Sequence, residues 1–168
     1  MAPAADANRG ATKNDHARLE RLAVFAPIFR DPKTIFGKWH PDSGKGTTDD
    51  PWIWGWFELT DVGSAFFEMV YDAGWIMDGF DWSEWAHGPD GLRLATRDEN
   101  IASANCEQLS KLLTAVVRQD RWCDGFLEGC FKSGLLRTIT ERAEALVRSG
   151  AVFQSVRLKQ TPRSGASK

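Results

Sequence analysis

A mainly α fold of the α+β class is expected, with about five to six helices and a short aromatic β-strand pair or hairpin near residues 52–77. Three observations carry this expectation. Leu109, Leu112, Leu113, Val116 and Val117 recur at helical spacing behind Asn105 and Gln108, which stand three residues apart as in a capping box. The segment WIWGWFELT, residues 52–60, alternates with the period of a strand. Gly and Pro punctuate the periodic segments where stops and turns require them.

Taken in order, residues 1–14 are rich in Ala, Asn and charge and lack the apolar stretch of a secretory signal, so they read as a disordered lead-in. From Asp15 to Phe29, Leu19, Leu22, Ala23, Phe25 and Ala26 share helical spacing; Asn14 or Asp15 is placed to cap this helix, which should end near Pro27. Residues 31–51 hold three Pro and three Gly and read as a long loop, interrupted by a short extended piece at Thr34–Trp39. A loop of this length is a candidate functional element.

Alternation over 52–60 sets Trp52, Trp54, Trp56 and Glu58 on one face and Ile53, Gly55, Phe57 and Leu59 on the other. Asp61 offers a cap to a helix carrying Val62, Phe66, Met69, Val70 and Ala73 on one side, and Gly74 is placed to stop it. Trp75–Met77 is a candidate second strand. Asp81 and Glu84 open a short helix that Gly88-Pro89 interrupts, and residues 86–104 read as loop followed by helix.

Two more helices are expected after the Asn105 helix, across Arg121–Lys132 and Leu135–Arg148, with Gly134 and Gly150 as stops. Residues 151–168 begin with alternating Val152, Gln154, Val156 and Leu158 and end polar and basic, reading as a marginal strand followed by a disordered tail. At 168 residues the length fits one globular domain over 15–150.

Composition narrows function. The apolar runs are far shorter than the roughly 20 residues a bilayer span needs. Cys106, Cys123 and Cys130 are an odd number with no Cys-x-x-Cys pair, which suits free thiols in a reducing cytoplasm. A zinc site would have to assemble its ligands from these and the scattered His16, His40 and His87, so neither metal nor cofactor is expected. Gly44-Lys45-Gly46-Thr47 fails the phosphate-loop pattern, because Trp39 stands where its first Gly belongs and Gly46 where Ser or Thr is required.

Charge is uneven. Basic residues outnumber acidic ones 7 to 4 over residues 1–40 and 11 to 6 over 101–168, but residues 41–100 hold 3 basic against 13 acidic, a net −10. Six of the eight Trp lie in that acidic middle. This pattern suits either an intramolecular match with the basic flanks or a surface that meets a basic partner. Direct nucleic-acid binding through Trp52, Trp54 and Trp56 is not expected, because stacking platforms are interleaved with Lys and Arg and none occurs between Lys45 and Arg93. Bordered by Asp49, Asp50 and Glu58, the three rings suit a core or a protein-binding face, with at least two of them expected in the core.

Other candidates are weaker. His40 and His87 sit in acidic, Gly-containing surroundings, and with Asp120 and Arg121 they form a candidate acid/base cleft. Asp120 is also placed to cap the following helix. Cys123 and Cys130 lie seven apart and read as small core residues on one helix face.

The motifs FAPIF at 25–29, GWIMDGFDW at 74–82 and KLLTAVVRQDRWCDGFLEGCFKSGLL at 111–136 resemble those of an uncharacterised bacterial family of small domains of unknown function, over roughly residues 15–148. Trp122 departs mildly from that pattern, which more often has Phe there. The resemblance implies no activity or catalytic residue, and it implies a setting in phage and mobile elements. The leading expectation is a non-enzymatic interaction protein, a regulator or inhibitor docking on a protein or nucleoprotein partner through its acidic, Trp-rich middle. The rivals are a small enzyme built on His40, His87, Asp120 and Arg121, and a DNA mimic that uses the acidic face.

Overall fold

Apolar residues at three- and four-residue spacing need a second layer to cover them, and here helices supply it. The computed structural model describes residues 13–91 and 98–158. In chain order the helices are α1 (Lys13–Ala23), α2 (Ala26–Arg30), α3 (Asp61–Asp72), α4 (Trp82–His87), α5 (Asp98–Ile101), α6 (Cys106–Asp120), α7 (Phe126–Lys132) and α8 (Leu135–Leu158). Between α2 and α3 lie β1 (Gly37–His40) and β2 (Trp56–Leu59), paired antiparallel.

The capping box at α6 forms as the sequence predicts: Asn105 Oδ1 accepts from the Gln108 amide at 2.9 Å, and Gln108 Oε1 accepts from the Asn105 amide at 2.9 Å. The helix then buries Leu109, Leu112, Leu113, Val116 and Val117. α8 packs along α1 and α2 and contributes Leu136, Ile139 and Ala143 to the same core. α3 adds Phe66, Phe67, Met69 and Val70. Each large side chain so buried contributes roughly 1.5–3 kcal/mol relative to exposure.

The end of α3 shows how the core is closed. Gly74 N–H donates to the Tyr71 carbonyl (2.9 Å) and Trp75 N–H to the Val70 carbonyl (3.0 Å), the bonding of a Schellman turn, and this turn delivers the fully buried Trp75 into the core. Arg18 of α1 places its guanidinium 4.4 Å from the Trp75 ring centroid while donating to the Gly74 carbonyl (2.9 Å) and Ser110 Oγ (2.7 Å). One side chain thereby ties α1, the end of α3 and α6 together.

Several expectations are corrected. Asn14 and Asp15 lie within α1 rather than capping it, and Asp15 pairs with Arg18 at 3.2 Å. Pro27 opens α2 instead of closing α1, because a first-turn Pro lacks only an N–H that has no helical partner anyway. Thr60, not Asp61, caps α3. α7 starts at Phe126; Cys123 stands exposed in the turn before it, and only Cys130 of that pair is buried.

Trp75–Met77 is not a strand. The Met77 amide donates to Thr114 Oγ1 (3.0 Å) and Arg118 donates to the Met77 carbonyl (2.9 Å), so side chains of α6 satisfy that backbone. The partner of β2 is instead β1, which overlaps the extended piece anticipated at 34–39. α8 passes through Gly150 to Leu158, so the strand expected at 152–158 is helical; continuing the helix satisfies backbone groups that a lone strand would leave without a neighbour. Of the expected lead-in, residues 1–12 lie outside the described residues, as does 159–168 of the tail. Among the described residues no helix is long and apolar enough to cross a membrane.

Candidate functional site

The region between α2 and α3 folds into an arm. Its register sets Gly37 opposite Leu59, Lys38 opposite Glu58, Trp39 opposite Phe57 and His40 opposite Trp56. Since side chains alternate, Phe57 and Leu59 turn to the helices while Trp56 and Glu58 share the outer face with Lys38 and His40. The foot of the arm is pinned by rings: Phe36 stacks on Phe29 (4.2 Å) and on Phe131 of α7 (4.9 Å). Thr60 adds two bonds, its Oγ1 donating to the Ile35 carbonyl (2.7 Å) and its amide to the Phe36 carbonyl (3.0 Å).

The long loop expected from composition is bonded across its width. Ser43 and Ile53 exchange backbone bonds of 2.9 and 2.8 Å, Lys45 and Thr47 donate their amides to the Asp50 carbonyl (3.1 and 3.0 Å), and Asp42 Oδ1 accepts from the Gly55 amide at 2.6 Å. Gly44 has a φ of +87°, and a Cβ there would stand 2.0 Å from the Pro51 carbonyl oxygen. Gly55 admits the close approach of the two arm segments, since a Cβ there would meet the His40 carbonyl oxygen and Trp39 Cζ2, each at 2.8 Å.

This ordered arm holds tryptophan in solvent. Trp52, Trp54 and Trp56 are 48%, 73% and 47% exposed, and Ile53 and Trp39 of the same arm are exposed as well. The expectation that at least two of these rings belong to the core is therefore overturned. A two-stranded ribbon over one helical layer has only one face covered, here the face of Phe57 and Leu59, and Trp52 and Trp54 lie in the tip beyond β2. Trp52 and Trp54 meet edge to face, centroids 6.1 Å apart and planes at 72°. Asp49, Asp50 and Glu58 all lie on the same arm.

On the outer face the His40 ring stacks on Trp56 (4.5 Å, 8° between planes) and His40 Nε2 lies 2.7 Å from Glu58 Oε2. Sequence reasoning had treated His40 apart from the Trp row; only the pairing of 37–40 with 56–59 joins them. Trp122, noted in the sequence only as a departure from the family-like pattern, is 79% exposed in the turn after α6. That turn borders the arm, for Gly125 faces the Trp39 ring.

The candidate cleft residues belong to different elements and make different local contacts. His87 ends α4, with Nδ1 2.8 Å from the Ser83 carbonyl oxygen. Asp120 Oδ1 accepts from the Leu127 amide (3.2 Å), capping α7; burial pushes its carboxyl upward, the Leu127 bond opposes that, and Asp124 reinforces it. Arg121 is exposed at the end of α6. Two shallow hollows, one lined by Phe80, Asp81, Glu84 and Trp85 and the other by Phe36, Phe131, Lys132 and Arg137, do not include His40, His87, Asp120 or Arg121.

The cysteines are free thiols. Burial, then the charge of Asp120, pushes Cys130 up to about 12, and burial with the neighbouring Asp15 pushes Cys106 to about 11, the reverse of what an activated nucleophile requires. Among the described residues no group of three or more His, Cys, Asp or Glu is arranged to hold a metal ion.

The model of a family described as "Family of unknown function (DUF6508)" matches residues 14–149. No curated protein and no solved structure matches the chain.

Proposed function

We propose that this chain, which belongs to that family of unknown function, is a non-enzymatic interaction protein that docks on a protein partner through the arm, using Trp52, Trp54 and Trp56 with Asp49, Asp50 and Glu58. One observation carries the reading: three large rings stand in water on a segment whose backbone is tied across its width by hydrogen bonds. A Trp side chain presents on the order of 150–250 Å² of buriable surface, and at roughly 25 cal/mol per Å² covering such rings releases several kcal/mol. Trp is enriched at the energetic centres of interfaces, and a pre-ordered surface spends less on ordering when it binds.

The acidic composition around the rings favours a basic protein surface, including the protein part of a nucleoprotein complex, over bare nucleic acid. A docking role is that of a regulator or inhibitor, in keeping with a phage or mobile-element setting and a reducing cytoplasm. The test is capture from bacterial lysate on the tagged full chain, with and without nuclease and at low and high salt. The expected result is one stoichiometric partner that survives nuclease and weakens as salt rises; recovery of nothing specific, or of a complex that nuclease abolishes, overturns the reading.

A further inference from the structure

We propose that the ring pair formed by Trp52 and Trp54 is a cation-binding site, which takes the lysine or arginine side chains of a basic, extended segment of the partner. The inference rests on the docking role proposed above and identifies what the arm recognises. Two rings at 72° with centroids 6.1 Å apart present faces in two nearly perpendicular directions, and their 48% and 73% exposure leaves ring surface free for a ligand. The faces of such rings attract cations through the ring quadrupole, Trp most strongly, and grouped aromatic rings recognise ammonium groups in this way. Trp56 is a poorer candidate, since His40 already covers one of its faces.

Charge selects the same occupant. The arm carries Asp31, Asp42, Asp49, Asp50 and Glu58 against Lys33, Lys38 and Lys45, and no Lys or Arg follows Lys45 until Arg93. Glu58 is engaged by His40 at 2.7 Å, but Lys45 Nζ reaches only to 3.9 Å from Asp50 Oδ2 and is 83% exposed, a loose pair that leaves the Asp49-Asp50 end of the arm free to meet a cation. A second copy paired arm to arm would set two acidic segments against each other, and like charge disfavours that pairing. An arginine- or lysine-bearing strand meets both features at once, with cation over ring and carboxylate beside cation.

The experiment titrates the full chain with arginine and lysine hexapeptides, an uncharged citrulline hexapeptide and a glutamate hexapeptide, reading affinity by calorimetry at low and high salt. The basic peptides should bind and the other two should not. Trp52→Ala and Trp54→Ala should each weaken binding about tenfold, Trp54→Phe should retain most of it, and Trp122→Ala, which removes an exposed ring from a different turn, should change it less than about twofold. Equal binding to wild type and Trp54→Ala, equal binding of the citrulline peptide, or no binding of any basic peptide each overturns the site. So does sedimentation showing self-association that Trp54→Ala abolishes. If lysate capture still yields a partner that Trp54→Ala loses while the peptides fail, the cation site falls and the docking surface stands; if the captured partner ignores Trp54→Ala, the docking surface itself falls.

Discussion

The helical body and the β arm are built from the same aromatic material and treat it in opposite ways. In the body, Trp75 and Phe66 are fully buried, and Phe66 sits edge-on to Phe25, Phe29 and Phe67. On the arm, Trp54 stands 73% exposed. The difference lies in layers rather than in residue type: α3 and α6 have helices packed around them, whereas the arm is a ribbon with helices under one side only. Apolar content therefore says little about where a ring ends up until the covering layer is known, and rings left uncovered on an ordered segment are the ones available to a partner.

The contrast can be broken most forcefully from the body. Trp75→Ala should destabilise the fold by about 3–5 kcal/mol, as large core deletions do, measured by denaturant unfolding; a loss under about 1 kcal/mol would mean that Trp75 is not a core ring. Alkali should act on the same region. Cys130 and Cys106 are held above their ordinary value of 9.0, at about 12 and about 11, so the unfolded chain releases these protons before the folded one does. Their contribution to stability is intact below pH 9.0 and falls as pH rises toward those values. Cys130→Ala should flatten that part of the stability–pH curve.

Smaller effects separate arm from body. Gly55→Ala forces a Cβ to within 2.8 Å of the His40 carbonyl oxygen and should destabilise by about 1–3 kcal/mol, with amide exchange speeding up at Ser43 and Ile53 and unchanged in α6. Asn105→Ala removes half of the α6 capping box and should destabilise by about 1 kcal/mol, with the reverse pattern of exchange. Trp54→Ala should leave the midpoint of unfolding within about 0.5 kcal/mol of wild type, as exposed substitutions do; a larger loss would place that ring in the fold's own packing.

Much of the body was legible because its signals are local. Asn105 with Gln108, Asp81 with Glu84 and the stop at Gly74 were all readable within a few residues, and each forms. The arm was only half legible. Alternation grouped Trp52, Trp54, Trp56 and Glu58, but it states which residues share a side, not which side is covered, and it cannot supply a partner strand fifteen or more residues away. That missing pairing sent the expected hairpin to Trp75–Met77, hid the link between His40 and Trp56, and assigned exposed rings to the core. At the C-terminus, four alternating residues were outweighed by a helix already running from Leu135.

Whether the exposed rings of the arm are what a partner holds can be asked in a single comparison: capture from lysate on wild type and on a Trp52→Ala/Trp54→Ala double variant that melts at the same temperature. The proposed docking role predicts one stoichiometric partner on wild type and its absence from the variant. The same partner recovered equally on both would contradict the assignment and move the search to another surface of the body.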